Sequence, residues 1–131
     1  MDGHMATRLH ELLKAAGEPT RLRILNLLRQ GSICVCDLQA VLEIPQPTIS
    51  RHLAALRHGG LVQDVRNGTR VVYSLTPPTT PQLKLLEDFL DQTCPYEDTL
   101  RTDLERFKAA VAQGTCRLER NNSTDQAARS Q

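Results

Sequence analysis

Residues 33–65, ICVCDLQAVLEIPQPTISRHLAALRHGGLVQDV, decide how this chain is read. Within them, Ile49, Leu53 and Leu56 recur at helical spacing, so Pro47–His58 is expected to form a helix. Its other face carries Thr48, Arg51, His52, Ala55 and His58. The Pro45-Gln46-Pro47 turn precedes it, and Pro47 suits a first helical turn, where its missing N–H would be unpaired anyway. Gly59-Gly60 ends it. Upstream, Leu38, Val41 and Leu42 give a shorter apolar-periodic segment over Cys36–Leu42. Two helices joined by a tight turn, the second basic on its outer face, have helix-turn-helix geometry, with the second placed to enter a DNA major groove.

Working outward, Leu61–Asp64 and Arg70–Leu75 are extended runs separated by Arg66-Asn67-Gly68-Thr69. Asn-Gly between β-prone runs is a hairpin signal, and a hairpin directly after a helix-turn-helix is a wing. Arg66 and Arg70 flank its tip, within reach of phosphate or the minor groove. The expected DNA contacts are therefore Gln46, Thr48, Ser50, Arg51, His52 and Arg57 on the helix, with Arg66 and Arg70 on the wing.

Charge distribution agrees better than total charge, which is only +1 over 131 residues. Residues 46–75 hold Arg51, Arg57, Arg66 and Arg70 against Asp64 alone. Residues 81–107 hold Lys84, Arg101 and Arg106 against Glu87, Asp88, Asp91, Glu97, Asp98, Asp103 and Glu105. One basic face and one acidic face fit a nucleic-acid binder. No apolar run approaches the ~18–20 residues of a membrane span, and no signal peptide opens the chain, so a cytoplasmic protein without a membrane partner is expected.

The rest of the chain reads as mainly α with a small β-hairpin. Thr7–Ala16 is a short helix, with Leu9, Leu12 and Leu13 on one face. A central core helix starts at Glu18-Pro19-Thr20 and stops at Gln30-Gly31, and Ser32-Ile33 is a short extended piece. Beyond the proline-rich linker 76–81, Pro81–Thr93 (Leu83, Leu85, Leu86, Phe89, Leu90) and Tyr96–Ala112 are amphipathic helices, broken apart by Cys94-Pro95. Residues 1–6 read as an extension or tag remnant, Met1–His4 looking like an expression scar. Residues 7–113 read as one winged helix-turn-helix domain for DNA binding and dimerisation, and 114–131 as a flexible C-terminal tail. Leu9, Leu12, Leu83, Leu86, Phe89 and Leu90 are expected to cover a second copy, because the winged core leaves their helices with little to bury against.

Four cysteines, Cys34, Cys36, Cys94 and Cys116, point in a cytosolic chain to metal or redox chemistry rather than structural disulfides. Cys34 and Cys36 stand where a helix begins, a position expected to lower thiol pKa. Zinc sites favour Cys-x-x-Cys and a set of four N/S ligands, and the only histidines are His4, His10, His52 and His58. A soft thiophilic ion of low coordination number fits better.

In combination, CVCDL, QPTISRHLAALRHGGLV and NGTRVVYSL resemble the ArsR/SmtB family of metal-sensing bacterial repressors over residues 19–76, and ICVCDL resembles its arsenic-sensing branch. That resemblance implies a homodimeric winged helix that binds double-stranded operator DNA and releases it when trivalent arsenic or antimony is held by three thiolates. It also implies that the short extended piece at Ser32-Ile33 pairs with the wing, and that Pro81–Thr93 lies in the dimer interface. Here the pattern's third cysteine is missing; Gln39 stands in that region. The third ligand is then Cys94, Cys116, a thiol from outside the protein, or absent, with mobility favouring Cys116. Response to cadmium, lead or zinc, or to thiol oxidation, is the alternative. A thiol-dependent enzyme is remote: no histidine lies near the cysteines in sequence, and no glycine loop cradles phosphate.

Overall fold

In the computed structural model, residues 8–119 are described. The expected extension and most of the expected tail lie outside that range. The element order is α1 (Leu9–Ala16), α2 (Pro19–Leu28), β1 (Ile33–Cys34), α3 (Val35–Leu42), α4 (Gln46–His58), β2 (Val62–Asn67), β3 (Arg70–Leu75), α5 (Pro81–Thr93) and α6 (Asp98–Ala112). A short 3-10 turn at Cys94–Tyr96 joins the last two helices.

The core forms around α2. Its N-terminus is set by Pro19 and by Glu18, whose carboxylate accepts the Thr20 N–H at 2.6 Å. Ile24, Leu25, Leu27 and Leu28 are all buried, so helices pack on more than one side of it. Even its polar Asn26 is inside, where Nδ2 donates to the Leu100 carbonyl at 2.8 Å and Oδ1 accepts from Arg29 at 2.7 Å. Leu38 from α3 and Ile49, Leu53 and Leu56 from α4 are fully buried against this centre.

The helix-turn-helix reverses at Glu43, which takes a left-handed conformation (φ 57°) and donates its N–H to the Gln39 carbonyl. The sheet is antiparallel in the order β1-β3-β2, with Ile33 opposite Tyr73, Cys34 opposite Val72 and Val62 opposite Leu75. The short extended piece does pair with the wing, one residue later than expected. The wing is longer than its sequence suggests. Strand β2 runs on to Asn67, which pairs with Arg70, leaving the two-residue turn Gly68-Thr69. Gly68 has φ +70°, and positive φ at the first central residue alone is the type II′ pattern. Glycine, not the Asn-Gly pair, makes the turn.

Helix α6 lies on α2. Asp103, 2% exposed, accepts Arg23 Nε at 2.8 Å and Nη2 at 3.0 Å, and Phe107 fills the space beside it. The segment after α6 does not open into a loose tail at residue 114. The Thr115 and Cys116 N–H groups both donate to the Ala110 carbonyl, and the Arg117 N–H donates to Asp37 Oδ2 at 2.8 Å. Ser32 and Glu119 then exchange two backbone hydrogen bonds of 3.0 and 2.8 Å, placing the segment beside β1. Beyond the Ala110 carbonyl, its partners Asp37 and Ser32 lie about eighty or more residues away, which local composition does not report.

Removing the Asp103 carboxylate strands Arg23 and unlatches α6. Asp103→Ala should cost about 1.5–3 kcal/mol in urea unfolding, as expected for a hydrogen bond to a charged group. A change within about 0.5 kcal/mol, the range of ordinary surface substitutions, would contradict this view of the α2–α6 contact.

Candidate thiol site and nucleic-acid interface

Cys34 is the N-cap of α3, and its Sγ accepts the Asp37 N–H at 3.3 Å. The Cys34-x-x-Asp37 spacing is that of a capping box with sulfur in place of a hydroxyl. Within one helical turn, the ligand atoms of Cys34, Cys36 and Asp37 lie within 4.8 Å of one another. Among the described residues no other group of three His, Cys, Asp or Glu side chains is this close. Cys34 is buried and Cys36 is exposed beside a surface concavity lined by Gln39, Ala40, Glu43, Ile44 and Pro45. Cys36 can therefore be reached from solvent, with Cys34 buried behind it.

The strap 114–119 closes the other side. Cys116 is buried near enough to Asp37 and Cys34 for both to act on its thiol, just outside the group of three whose ligand atoms lie within 4.8 Å of one another. Cys94 is more deeply buried and sits elsewhere, beside Arg29 and Asp91. The four cysteines are thus three around α3 and one apart. Asp37, which the sequence did not single out, organises the group. One of its oxygens takes the Arg117 N–H, and the other faces Cys36 Sγ at 3.9 Å.

Thiol acidity runs against the expectation of a helix N-terminus. Desolvation pushes the Cys36 thiol up to about 11, helped by the Cys34 sulfur and Asp37 and opposed by Arg70. Burial and Asp37 push Cys116 up to about 11 as well. Burial also raises Cys94. Only Cys34 holds the N-cap position; Cys36 lies two residues further on and shares its space with a carboxylate.

On the expected DNA face, Gln46, Arg51, Arg57 and Arg66 are exposed, with Thr48 and Ser50 partly so. Their bonds are local and easily exchanged: Gln46 to Ser50 at 3.1 Å, Arg51 to Thr48 at 3.4 Å, and Arg57 to Asp64 at 3.2 Å. Two expected contacts have acidic partners within the chain. His52 Nδ1 lies 3.0 Å from Glu18 Oε2, so it pins α4 to the start of α2. Arg70 lies 2.8 Å from Glu119 Oε2, with its guanidinium also against the Cys34 sulfur.

The apolar faces also divide differently. Leu12 and Leu90 are buried in the subunit's own core, and Leu83 and Leu86 line a small cavity with Leu25, Leu61 and Leu75. Leu9, Leu13, Leu85 and Phe89 are the side chains of α1 and α5 left more than half exposed. No helix among the described residues is long and apolar enough to cross a membrane.

Residues 18–64 match the family model described as "Bacterial regulatory protein, arsR family". A regulator from Methanocaldococcus jannaschii, described as an uncharacterized HTH-type transcriptional regulator, is 43% identical over 61% of this chain and 91% of its own length. The chain belongs to the arsR family. The arsenic resistance transcriptional regulator ArsR1 of Pseudomonas putida is 45% identical over 57% of this chain. The match spans 61% of the P. putida protein, so that relative is longer than what is compared. Among solved structures, the homodimeric winged helix-turn-helix DNA-binding domain of a possible ArsR-family regulator from Mycobacterium bovis superposes with a TM-score of 0.55. It is 30% identical, over 67% of this chain and 82% of that one. By name, these relatives are regulators and not enzymes.

The raised thiol pKa has a direct readout. Alkylation of Cys36 by iodoacetamide, mapped by mass spectrometry, should be slow at pH 7 and climb about tenfold per pH unit, because only the thiolate reacts. It should not level off until near pH 11. A plateau at or below pH 8 would restore the activating helix N-terminus instead.

Proposed function

We propose that the protein is a homodimeric transcriptional repressor that binds double-stranded operator DNA. It releases that DNA when trivalent arsenic or antimony is held by Cys34, Cys36 and Cys116 of one chain. The observation that carries the ligand set is the Arg117 N–H bond to Asp37, which brings the neighbouring Cys116 to the Cys34–Cys36 turn, while Cys94 stands apart beside Arg29. One Asp37 oxygen is taken by the Arg117 N–H, and a soft trivalent metalloid favours the three sulfurs over the carboxylate oxygen that remains.

Proton balance favours a metalloid hydroxide over a divalent cation. Each protonated thiol can hand its proton to a departing hydroxide of arsenous acid, so that As–O bonds are exchanged for As–S bonds and water leaves. A divalent cation brings no base. Cys36 and Cys116, both near 11, would have to shed protons into neutral solution, a penalty growing about tenfold per thiol for each pH unit lowered.

In this reading α4 enters the major groove with Gln46, Thr48, Ser50, Arg51 and Arg57 facing the DNA, and Arg66 reaches the backbone from the wing. The exposed Leu9, Leu13, Leu85 and Phe89 supply the apolar surface for a second copy. Two α4 helices related by a two-fold axis then meet two half-sites. Coupling between thiol site and DNA of about 1–3 kcal/mol changes affinity about 5–150-fold.

Fluorescence anisotropy tests this with a duplex that the full chain selects from random sequence. The wild type and Cys94→Ser should both lose the duplex as arsenite or antimonite is added. Cys34→Ser, Cys36→Ser and Cys116→Ser should bind it as wild type does and keep it when arsenite is added. Full release from Cys116→Ser would remove that residue from the site. Release by cadmium but not by arsenite would replace the inducer class.

A further inference from the structure

The strap 114–119 has two ends that touch two different parts of the molecule. Near its start, the Arg117 N–H is held by Asp37 at 2.8 Å, which brings the buried Cys116 close to Asp37 and Cys34. At its far end, Glu119 exchanges backbone hydrogen bonds with Ser32 and sends its carboxylate to the wing. Its Oε2 lies 2.8 Å from Arg70, and its Oε1 accepts Asn67 Nδ2 at 2.8 Å. Asn67 and Arg70 are the paired residues that close the wing's turn. Between the two ends, Leu118 lies on Gly31, where a Cβ would come within 3.0 Å of its Cδ1. The strap therefore docks on a backbone without a side chain and spans from the thiols to the wing in six residues.

We propose that this strap couples the two sites, with Glu119 as the positioning residue. Docked, it holds Arg70 on a carboxylate and away from DNA phosphate. Undocked, it frees Arg70 to join Arg66 on the backbone. A ligand that ties Cys116 to Cys34 and Cys36 shifts the balance toward the docked strap, and so toward lower DNA affinity. Differential binding to the two strap positions is the source of the shift. This rests on the proposed three-thiol site, but the latch on Arg70 makes a claim of its own about the protein without ligand.

The test uses the full chain, the duplex it selects from random sequence, and the variants Glu119→Gln, Arg70→Gln and their combination. Without arsenite, Glu119→Gln should bind more tightly, and its log affinity should fall more steeply with log salt. The added slope is up to about 2 for a dimer gaining two phosphate contacts, at about 0.9 each. The double variant should match Arg70→Gln alone, since no arginine is left to free. With arsenite, Glu119→Gln should still form the ultraviolet thiolate–arsenic absorption with wild-type stoichiometry, yet release the duplex by less than a third of the wild-type fold-change. A wild-type salt slope in Glu119→Gln overturns the latch, as does added slope that survives in the double variant. If the wild type binds the duplex but ignores arsenite, the inducer reading fails while the salt comparison still decides the latch. A wild type that binds no duplex overturns both.

Discussion

The hydrogen bond from the Arg117 backbone to the Asp37 carboxylate, 2.8 Å across eighty residues of sequence, holds the candidate site together. Asp37 is nearly buried, and a buried carboxylate without a partner is costly. The bond meets that need and in doing so fixes where the chain goes after α6. Cys116 follows from it, brought to the Cys34–Cys36 turn; so does Glu119, brought to the wing. Burial, with this carboxylate adding to it, keeps the Cys36 and Cys116 thiols high in pKa, which suits a ligand that accepts protons as it binds.

The division of labour among the helices follows from burial. Helix α2 is enclosed and serves as the frame, α6 is clamped to it through Asp103, and α4 is pinned to its N-terminus through His52 and Glu18. What remains outward on α4 is polar and basic, while α1 and α5 keep large apolar side chains in the open. A surface of that kind on a family member with a homodimeric structural relative supports the proposed two-fold assembly.

Helix α4, the wing and the core helix could be read from the chain because their signals are local: apolar spacing, proline before a helix, glycine after it. The Cys34–Cys36 pair could be read for the same reason. Other features depend on distant partners and could not. Nothing in Thr115–Glu119 has a period, and its structure rests on Ala110, Asp37, Ser32 and the wing residues Asn67 and Arg70. Arg70 and His52 look unengaged in sequence, yet folding brings Glu119 and Glu18 to them. An apolar stripe likewise says that a face is covered but not by which chain. Leu12 and Leu90 turn into their own core, and Leu85 and Phe89 turn out. The one local clue left unused was Asp37 itself, three residues after a cysteine at a helix start, at capping-box spacing.

The account stands on Cys116 as the proposed third sulfur, supplied by the same strap that reaches the wing. Arsenic K-edge X-ray absorption on the arsenite-loaded full chain measures this directly by counting sulfur neighbours. The expected count is three for the wild type and for Cys94→Ser, falling to two, with oxygen in the vacated position, for Cys116→Ser. Three sulfurs in Cys116→Ser, or two in Cys94→Ser, would contradict it.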